Sequence, residues 1–213
     1  MCKLVIASIN MSKAIAILTG FLFALISLDS CAGYSAHGRP PRPITDAVLA
    51  RQLVHQSNWA AVGSISHNEK TADYPMVNVI AVDDSALNGS STGRVHFLLA
   101  DFDFTGADAL HNNKVTFFFS EEQTGSCNKR GVNPMEPACP RIMISGRVQK
   151  LDTKIPEYND YMEAFNKRHK HSKIWVEAHN FYLSELEIDN IYIVAYQGGP
   201  RTINAEDYYN AHL

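Results

Sequence analysis

Seven short segments rich in apolar and β-branched residues, separated by short polar turns, dominate the chain of 213 residues. Such segments predict strands, and RIMISGRVQKL also has the alternation of a half-buried strand. The predicted strands are WAAVGSIS, PMVNVIAV, VHFLLA, KVTFFFS, RIMISGRVQKL, FYLSELEI and IYIVAYQG. Many strands with few, short helices favour a closed or partly closed antiparallel barrel over a doubly wound sheet.

The predicted helices are few. The first spans Ile44 to Asn58, with Thr45 or Asp46 as its N-cap, because apolar residues recur there at helical spacing. A short helical stretch follows around residues 105–112, and a third helix begins near Pro156 and ends near His169. The fold class predicted from the residues is therefore mainly β with short helices.

The connections carry their own predictions. Residues 83–93 (DDSALNGSSTG) have the composition of a loop. Gly146 interrupts a strand and predicts a bulge or a bend. Asp189 and Asn190 separate the last two predicted strands, which indicates a hairpin.

The first 32 residues predict a targeting segment. Residues 14–28 are apolar and uncharged, Lys3 and Lys13 precede them, and small residues favour cleavage after Ala32. An uncleaved membrane anchor is the alternative, but fifteen helical residues at about 1.5 Å each fall short of a hydrocarbon core of about 30 Å. A lipid-modified Cys31 is a further alternative. We therefore predict a signal peptide at 1–32, a flexible lead-in at 33–43 and one domain at 44–213, with no membrane span.

Charge and cysteine content follow from this division. The whole chain carries a formal charge of −3, and loss of two lysines and one aspartate leaves −4, which argues against direct nucleic-acid binding. Cys127 and Cys139 remain, and in a secreted chain they predict a disulfide, with zinc or free thiols as alternatives. Asn88-Gly89-Ser90 is a glycosylation sequon in the predicted loop.

No catalytic, cofactor-binding or metal-ligating residue is predicted, because the common nucleophile, zinc and phosphate motifs are absent from the sequence. Asp101, Asp103 and Asp108 miss the spacing of a calcium loop and predict a solvated, helix-capping turn. The basic run 167–173 indicates a solvated helix end, with an anionic glycan or membrane surface as the alternative. His169, His171 and His179 lack a carboxylate or thiolate at compatible spacing, so no metal site is predicted there.

Several segments together resemble one family. SNWAAVGSIS, VHFLLADFDFTGADALHNN, the loop between Cys127 and Cys139, RIMISGRV, HNFYLSELEIDNIYIV and QGGPRTINAEDYYN are similar, in order, to CREG proteins, the cellular repressors of adenoviral early-gene-stimulated transcription. The resemblance runs from about Pro43 to Asn210.

The resemblance implies a split β-barrel of the FMN-binding, pyridoxamine-phosphate-oxidase-like type, assembled as a homodimer. It also implies a secreted and endolysosomal glycoprotein that modulates growth and differentiation and is linked to the mannose-6-phosphate/insulin-like growth factor II receptor. Family members commonly carry several sequons in the second half of the chain, whereas this sequence has none there. Glycan-dependent receptor binding would therefore rest on Asn88.

The family is regarded as having lost flavin binding, and the residues agree. Split-barrel enzymes usually place basic and hydroxyl groups for the flavin phosphate on the segment corresponding to VHFLLADFDFTGADALHNN. This chain has no Arg or Lys between Val95 and Asn113, and three aspartates lie there instead. We expect no bound FMN, although Arg141 and Arg147 remain candidates to approach from another strand. The alternative function is a flavin- or haem-dependent oxidoreductase.

Overall fold

Six antiparallel strands close into a barrel in the computed structural model, which describes residues 45–196 and 199–213. The predicted signal peptide and lead-in lie outside the described residues. The strands are β1 (Trp59–Ile65), β2 (Pro75–Ser85), β3 (Ser91–Leu99), β4 (Lys114–Ser120), β5 (Arg141–Lys150), β6 (Tyr182–Val194) and β7 (Arg201–Ile203). They pair in the order β3-β2-β1-β4-β5-β6-β7, and a further β3–β6 pairing closes the barrel. The mainly β prediction is confirmed.

Short helices decorate this barrel. They are α1 (Asp46–Gln56), α2 (Phe104–His111), α3 (Ser126–Lys129), α4 (Tyr158–Arg168), α5 (Ser172–His179) and α6 (Ala205–Tyr209), together with a 3₁₀ turn at Glu121–Thr124. Thr45 caps α1 by accepting a hydrogen bond from the Val48 amide. None of the helices in the described ranges is long and apolar enough to cross a membrane.

Two apolar clusters hold the fold together. Inward-facing strand residues fill the barrel, where the rings of Phe97 and Phe117 lie 4.8 Å apart, and α1 adds Leu53 to the same core. A second cluster lies around Leu98 and Phe165, where α4 and α5 pack on the β3–β6 side. β3 contributes residues to both clusters, so α4 and α5 pack directly against the barrel. Helical residues therefore lie beside the barrel strands, where they can form one wall of a cleft.

The hairpin predicted at Asp189-Asn190 is wrong. β6 runs unbroken from Tyr182 to Val194, and the register against β5 shifts where Ser145 pairs with Asn190 and Gly146 with Ile188. Asp189 is thus the extra residue of a β-bulge, which bends the strand without reversing it. A Cβ on Gly146 would lie 2.1 Å from the Glu187 carbonyl oxygen, so this bulge requires glycine. The bulge predicted at Gly146 is confirmed.

The loop predicted at 83–93 is shorter than expected. β2 continues to Ser85 and β3 begins at Ser91, so Asp83 and Asp84 are buried strand residues. Local composition suggested a loop because carboxylates are rarely buried unless paired. Here Arg168, which the sequence placed on a solvated helix end, forms an ion pair with Asp83 at 2.5 Å. α5 was not predicted, since the basic run obscured its start.

Cys127 and Cys139 form a disulfide in the structure, with their Cα atoms 5.6 Å apart and both residues fully buried. This cystine closes the segment between β4 and β5. One group of three potential metal ligands occurs in the described part of the chain, and it consists of these two cysteines and Glu121. Because the two sulfurs are bonded to each other, they offer no thiolates, and the group is not a zinc site.

Candidate functional site

A cleft of about 220 Å³ lies between β2 and α5, and we call it the β2–α5 cleft. The β2 segment 78–81 and Leu98 line it from the barrel side. Trp175 of α5 and Phe181 line it from the helical side. Asp103, from the turn before α2, completes the lining, so the predicted acidic turn reaches a cavity.

The turn before α2 is shaped by close backbone packing. A Cβ on Gly106 would lie 2.0 Å from the carbonyl oxygen of Ala100, so only glycine allows the chain to fold back here. Asp103 occupies the N-cap position of α2, but its side chain makes no capping hydrogen bond. Instead the Asn78 side-chain amide donates to both Asp103 oxygens at 3.2 and 3.1 Å and to the Thr105 hydroxyl at 3.2 Å.

The three aspartates of this segment have different roles. Asp108 is only 3% exposed and accepts hydrogen bonds from the Ser64 hydroxyl at 2.6 Å and the His67 amide at 2.8 Å. The prediction of a fully solvated turn is therefore wrong for Asp108, which ties α2 to the end of β1. Asp101 is exposed. Asp103 is half-buried and is the carboxylate that lines the cleft.

Tyr182 of β6 lies against this turn and interacts with its carboxylates. Burial, with a hydrogen bond from its hydroxyl to the Asp101 carboxylate and the charges of Asp101 and Asp103, raises the pKa of Tyr182 to about 12. The Lys150 ammonium lies 3.8 Å from the centroid of the Tyr182 ring. In the described ranges no ion pair joins a lysine or arginine to Asp101 or Asp103 within 4.0 Å, so both carboxylates keep their charge unpaired.

The two arginines that could have supplied a phosphate site are engaged elsewhere. Arg141 donates to main-chain carbonyls of the disulfide segment, including that of Met135 at 3.1 Å. Arg147 forms an ion pair with Asp189 at 2.7 Å. A flavin phosphate carries about two negative charges and needs cationic or N–H donors. The donors and carboxylates around the β2–α5 cleft do not fit such a group.

Exposed aromatic residues flank Asp103 in the chain, and one of them contacts the wall of the cleft. Phe102 is 71% exposed and contacts Phe181 edge-on, with ring centroids 5.7 Å apart. Phe104, at the start of α2, is 62% exposed. Trp175 and Phe181 lie 6.5 Å apart. Large apolar side chains exposed in a group beside a cavity are typical of a binding surface.

A buried polar network that the sequence did not reveal lies where α1 meets β2 and β3. Asp84 is fully buried and accepts from the His55 ring at 2.6 Å and the Ser91 hydroxyl at 2.5 Å. Arg51 donates to Ser91 and to the main-chain carbonyl of Tyr208 at 3.1 Å. No local pattern could have predicted it, because its members come from four separate segments. It anchors the last helix and does not line the cleft.

Asn88 and the cystine lie outside the β2–α5 cleft. Asn88 is exposed in the tight turn between β2 and β3, where its side-chain oxygen accepts from the Ser90 amide at 3.0 Å and hydroxyl at 2.8 Å. This geometry leaves the Asn88 side-chain nitrogen free of any hydrogen bond to the described residues. The sequon is therefore positioned to carry a glycan, which stays a prediction.

Residues 41–210 match the family model described as CREG, beta-barrel. The chain belongs to this family of barrel proteins. It is 32% identical to human Protein CREG1 over 173 residues, covering 80% of this chain and 77% of that protein. It is 27% identical to human Protein CREG2, covering 81% of this chain and 58% of that protein. The resemblance seen in the sequence is confirmed.

Solved structures place the fold among split barrels. A haem-binding protein from Mycobacterium smegmatis superposes with a TM-score of 0.59 at 14% identity, covering 83% of this chain and 63% of that one. A protein of the pyridoxinephosphate oxidase family from Clostridium acetobutylicum has a TM-score of 0.50 at 13% identity, covering 76% and 96%. At such identities the likeness establishes the fold alone, which confirms the predicted split-barrel type.

Proposed function

We propose that this protein is a non-catalytic, secreted glycoprotein with endolysosomal delivery that modulates cell growth and differentiation through protein partners. The observation that carries the proposal is the charge of the β2–α5 cleft. The resemblance implies that split-barrel enzymes bind the flavin phosphate with donors on the segment that here contains Asp103. Asp103 instead brings a carboxylate to this cavity, and Arg141 and Arg147 are committed to other partners. We therefore propose that this barrel has the fold of flavin-binding enzymes but does not bind FMN.

A flavin titration tests the proposal against its rival, an oxidoreductase that uses flavin or haem. Purified protein is scanned for visible absorbance as isolated, then titrated with FMN while flavin fluorescence is followed, and separately with haemin. We expect an empty spectrum and unquenched FMN fluorescence, because the cleft repels a phosphate dianion. Stoichiometric flavin with quenched fluorescence, or saturable haem binding that supports turnover, would refute the non-catalytic function.

Homodimerisation is the partner interaction that the outer barrel wall supports. One outward-facing row crosses six strands in register, and it consists of Val79, Ala61, Phe118, Met143, Tyr192 and Thr202. The row contains no charged residue, and its members Val79 and Tyr192 are 63% and 45% exposed. An uncharged, partly apolar stripe of this length suits an isologous contact with a second copy.

Charge substitution at the two most exposed apolar members of the row tests the dimer. In an isologous dimer each change appears twice, so Val79→Asp with Tyr192→Asp places like charges in one interface, which costs several kcal/mol. We expect the dimer dissociation constant to rise by about a hundredfold or more in sedimentation or light scattering. Met135→Asp, which adds the same charge at a still more exposed residue of the disulfide segment, is the control. A wild-type protein that is monomeric at micromolar concentration would contradict the homodimer.

Receptor-mediated delivery is proposed to act through Asn88. Recognition by the mannose-6-phosphate/insulin-like growth factor II receptor would need a phosphorylated glycan, and Asn88 is the sequon of the predicted mature chain. Uptake of the secreted protein by cells, with and without free mannose 6-phosphate as competitor, measures this dependence. Uptake that free mannose 6-phosphate does not reduce would separate endolysosomal delivery from this receptor.

A further inference from the structure

The β2–α5 cleft combines three features that the proposed function leaves unused. Its helical wall is aromatic, with Trp175 and Phe181, and its floor is the apolar β2 segment with Leu98. Its one ionisable lining residue is Asp103, whose carboxylate is oriented by two hydrogen bonds from Asn78. An aromatic wall beside an oriented, unpaired carboxylate is suited to a positive charge.

We propose that the β2–α5 cleft binds a small organic cation, an ammonium group carried on an apolar body. This inference rests on the proposed function, in which no flavin phosphate binds in this region. It goes beyond the proposed function because it assigns the cavity a positively charged ligand, whereas a flavin phosphate is negatively charged. The ammonium contacts the Asp103 carboxylate and the ring face of Trp175, while the apolar body lies against the β2 floor.

Charge selects the ligand class. A cation near an aromatic face is attracted by the negative face of the ring, and a charge-assisted hydrogen bond to a carboxylate is about twice as strong as a neutral one. An anion of the same shape meets the Asp103 charge, and Asp101 adds a second negative charge on the same turn. The Lys150 ammonium is held over the Tyr182 ring and forms no ion pair with Asp103, so it does not replace the ligand.

Volume limits the ligand size. The cleft holds about 220 Å³, which is below the 300–1,000 Å³ typical of sites for drug-sized ligands. A single aromatic or short alkyl amine is therefore the expected size class. The exposed ring of Phe102, which contacts the lining residue Phe181, adds apolar contact for the part of the ligand that projects from the cavity.

Three probes of one shape test the charge requirement. Phenethylammonium, 2-phenylethanol and phenylacetate share an aromatic body and carry a positive, no and a negative charge. The chain has two tryptophans, so Trp59→Phe leaves Trp175 as the sole indole reporter inside the cleft. We expect saturable change of Trp175 fluorescence with phenethylammonium, about tenfold weaker binding of the alcohol and no binding of phenylacetate.

Substitutions in the same background test the position. Asp103→Asn removes the charge but keeps the shape and an N-cap residue, and should weaken phenethylammonium about tenfold. Asp101→Asn, on an exposed side chain, should weaken it about twofold and serves if Asp103→Asn proves unstable. Asp207→Asn, an exposed acidic residue on α6, is the matched control and should leave affinity unchanged.

The results separate this inference from the proposed function. Three results would overturn the cation site: equal binding of the three probes, no binding of phenethylammonium, or an Asp103→Asn affinity equal to that of the Asp207→Asn control. In each case a flavin titration that shows no binding still supports the non-catalytic function. Stoichiometric FMN binding would instead overturn both. Preferential phenethylammonium binding that depends on Asp103 supports the site.

Discussion

Loss of the Arg168 side chain is expected to destabilise the helical wall of the cleft more than any surface change on the same helix. Arg168 ends α4 and forms an ion pair with Asp83, whose side chain is 1% exposed. The Arg168 Nε and Asp83 Oδ1 atoms lie 2.5 Å apart, so the two opposite charges are in direct contact. The guanidinium also donates to the main-chain carbonyls of His55 at 2.8 Å and Ser57 at 3.1 Å.

The magnitude follows from what Arg168→Met leaves behind. Removing one partner of a buried ion pair costs about 3–5 kcal/mol, because the other charge stays buried without compensation. For a domain of this size about 1 kcal/mol shifts the melting temperature by about 2–4 °C, so a fall of about 6–20 °C is expected. Since α5 follows α4 after three residues and carries Trp175, its fluorescence should change in the native state too.

Thermal and urea unfolding of four variants provides the assay. In the Asp83→Asn background the nearest buried charge is removed and only Asp84, 3.9 Å from the guanidinium, still faces Arg168, so Arg168→Met should cost about half as much as in wild type. Lys167→Met, one residue earlier, removes an exposed pair with Glu163 and an exposed hydrogen bond to the Leu87 carbonyl at 3.4 Å, and should cost about 0.5 kcal/mol or less. A loss below about 1 kcal/mol for Arg168→Met, or an equal loss in both backgrounds, would refute the reasoning.

Three further outcomes are expected. Burial pushes the pKa of Glu185 upward, but hydrogen bonds from His96 and Arg94 outweigh it and hold that pKa below 4.5. Ionised Glu185 therefore stabilises the fold above pH 4.5, and this stabilisation is lost as the pH falls further. Glu185→Gln should therefore lower the melting temperature near neutral pH, and the gap to wild type should narrow only below pH 4.5; a gap already closed at that pH contradicts this. Asn88→Gln should remove one glycan, seen as the loss of a glycosidase-sensitive mobility shift in the secreted protein; a remaining shift would disprove it. Replacing both cysteines of the cystine by serine should cost about 3 kcal/mol in urea unfolding, and an unchanged midpoint would show that the cross-link contributes nothing.

Strand content was predictable because it depends on local pattern. KVTFFFS was predicted with the same limits that β4 has, and RIMISGRVQKL extends one residue past β5. The Asp189-Asn190 pair failed as a turn signal, because asparagine and aspartate favour both hairpin turns and bulges and only the pairing of β6 with β5 decides between them. Asp83 and Asp84 failed as loop signals for a related reason, since their partners lie far along the chain.

The candidate site was predicted in part. The acidic turn was predicted from its three aspartates and from the absence of Arg and Lys between Val95 and Asn113. The opposing wall was not, because Trp175 and Phe181 reach Asp103 only after α5 packs against the barrel. The different burial of Asp101 and Asp108, seven residues apart on one turn and helix, also depends on which strand each one faces.

The sequence by itself determined the strand-rich character, the family, the sequon and the one cysteine pair of the predicted mature chain, because these depend on residue type and spacing. Tertiary structure decided which carboxylates are paired, which remain free, and which of them meets a cavity. The physical reason is that a carboxylate's charge is balanced by partners within a few ångströms in space, and chain order does not specify them. Asp83 and Asp103 show the difference: one is neutralised by Arg168, and the other lines the β2–α5 cleft with its charge unpaired.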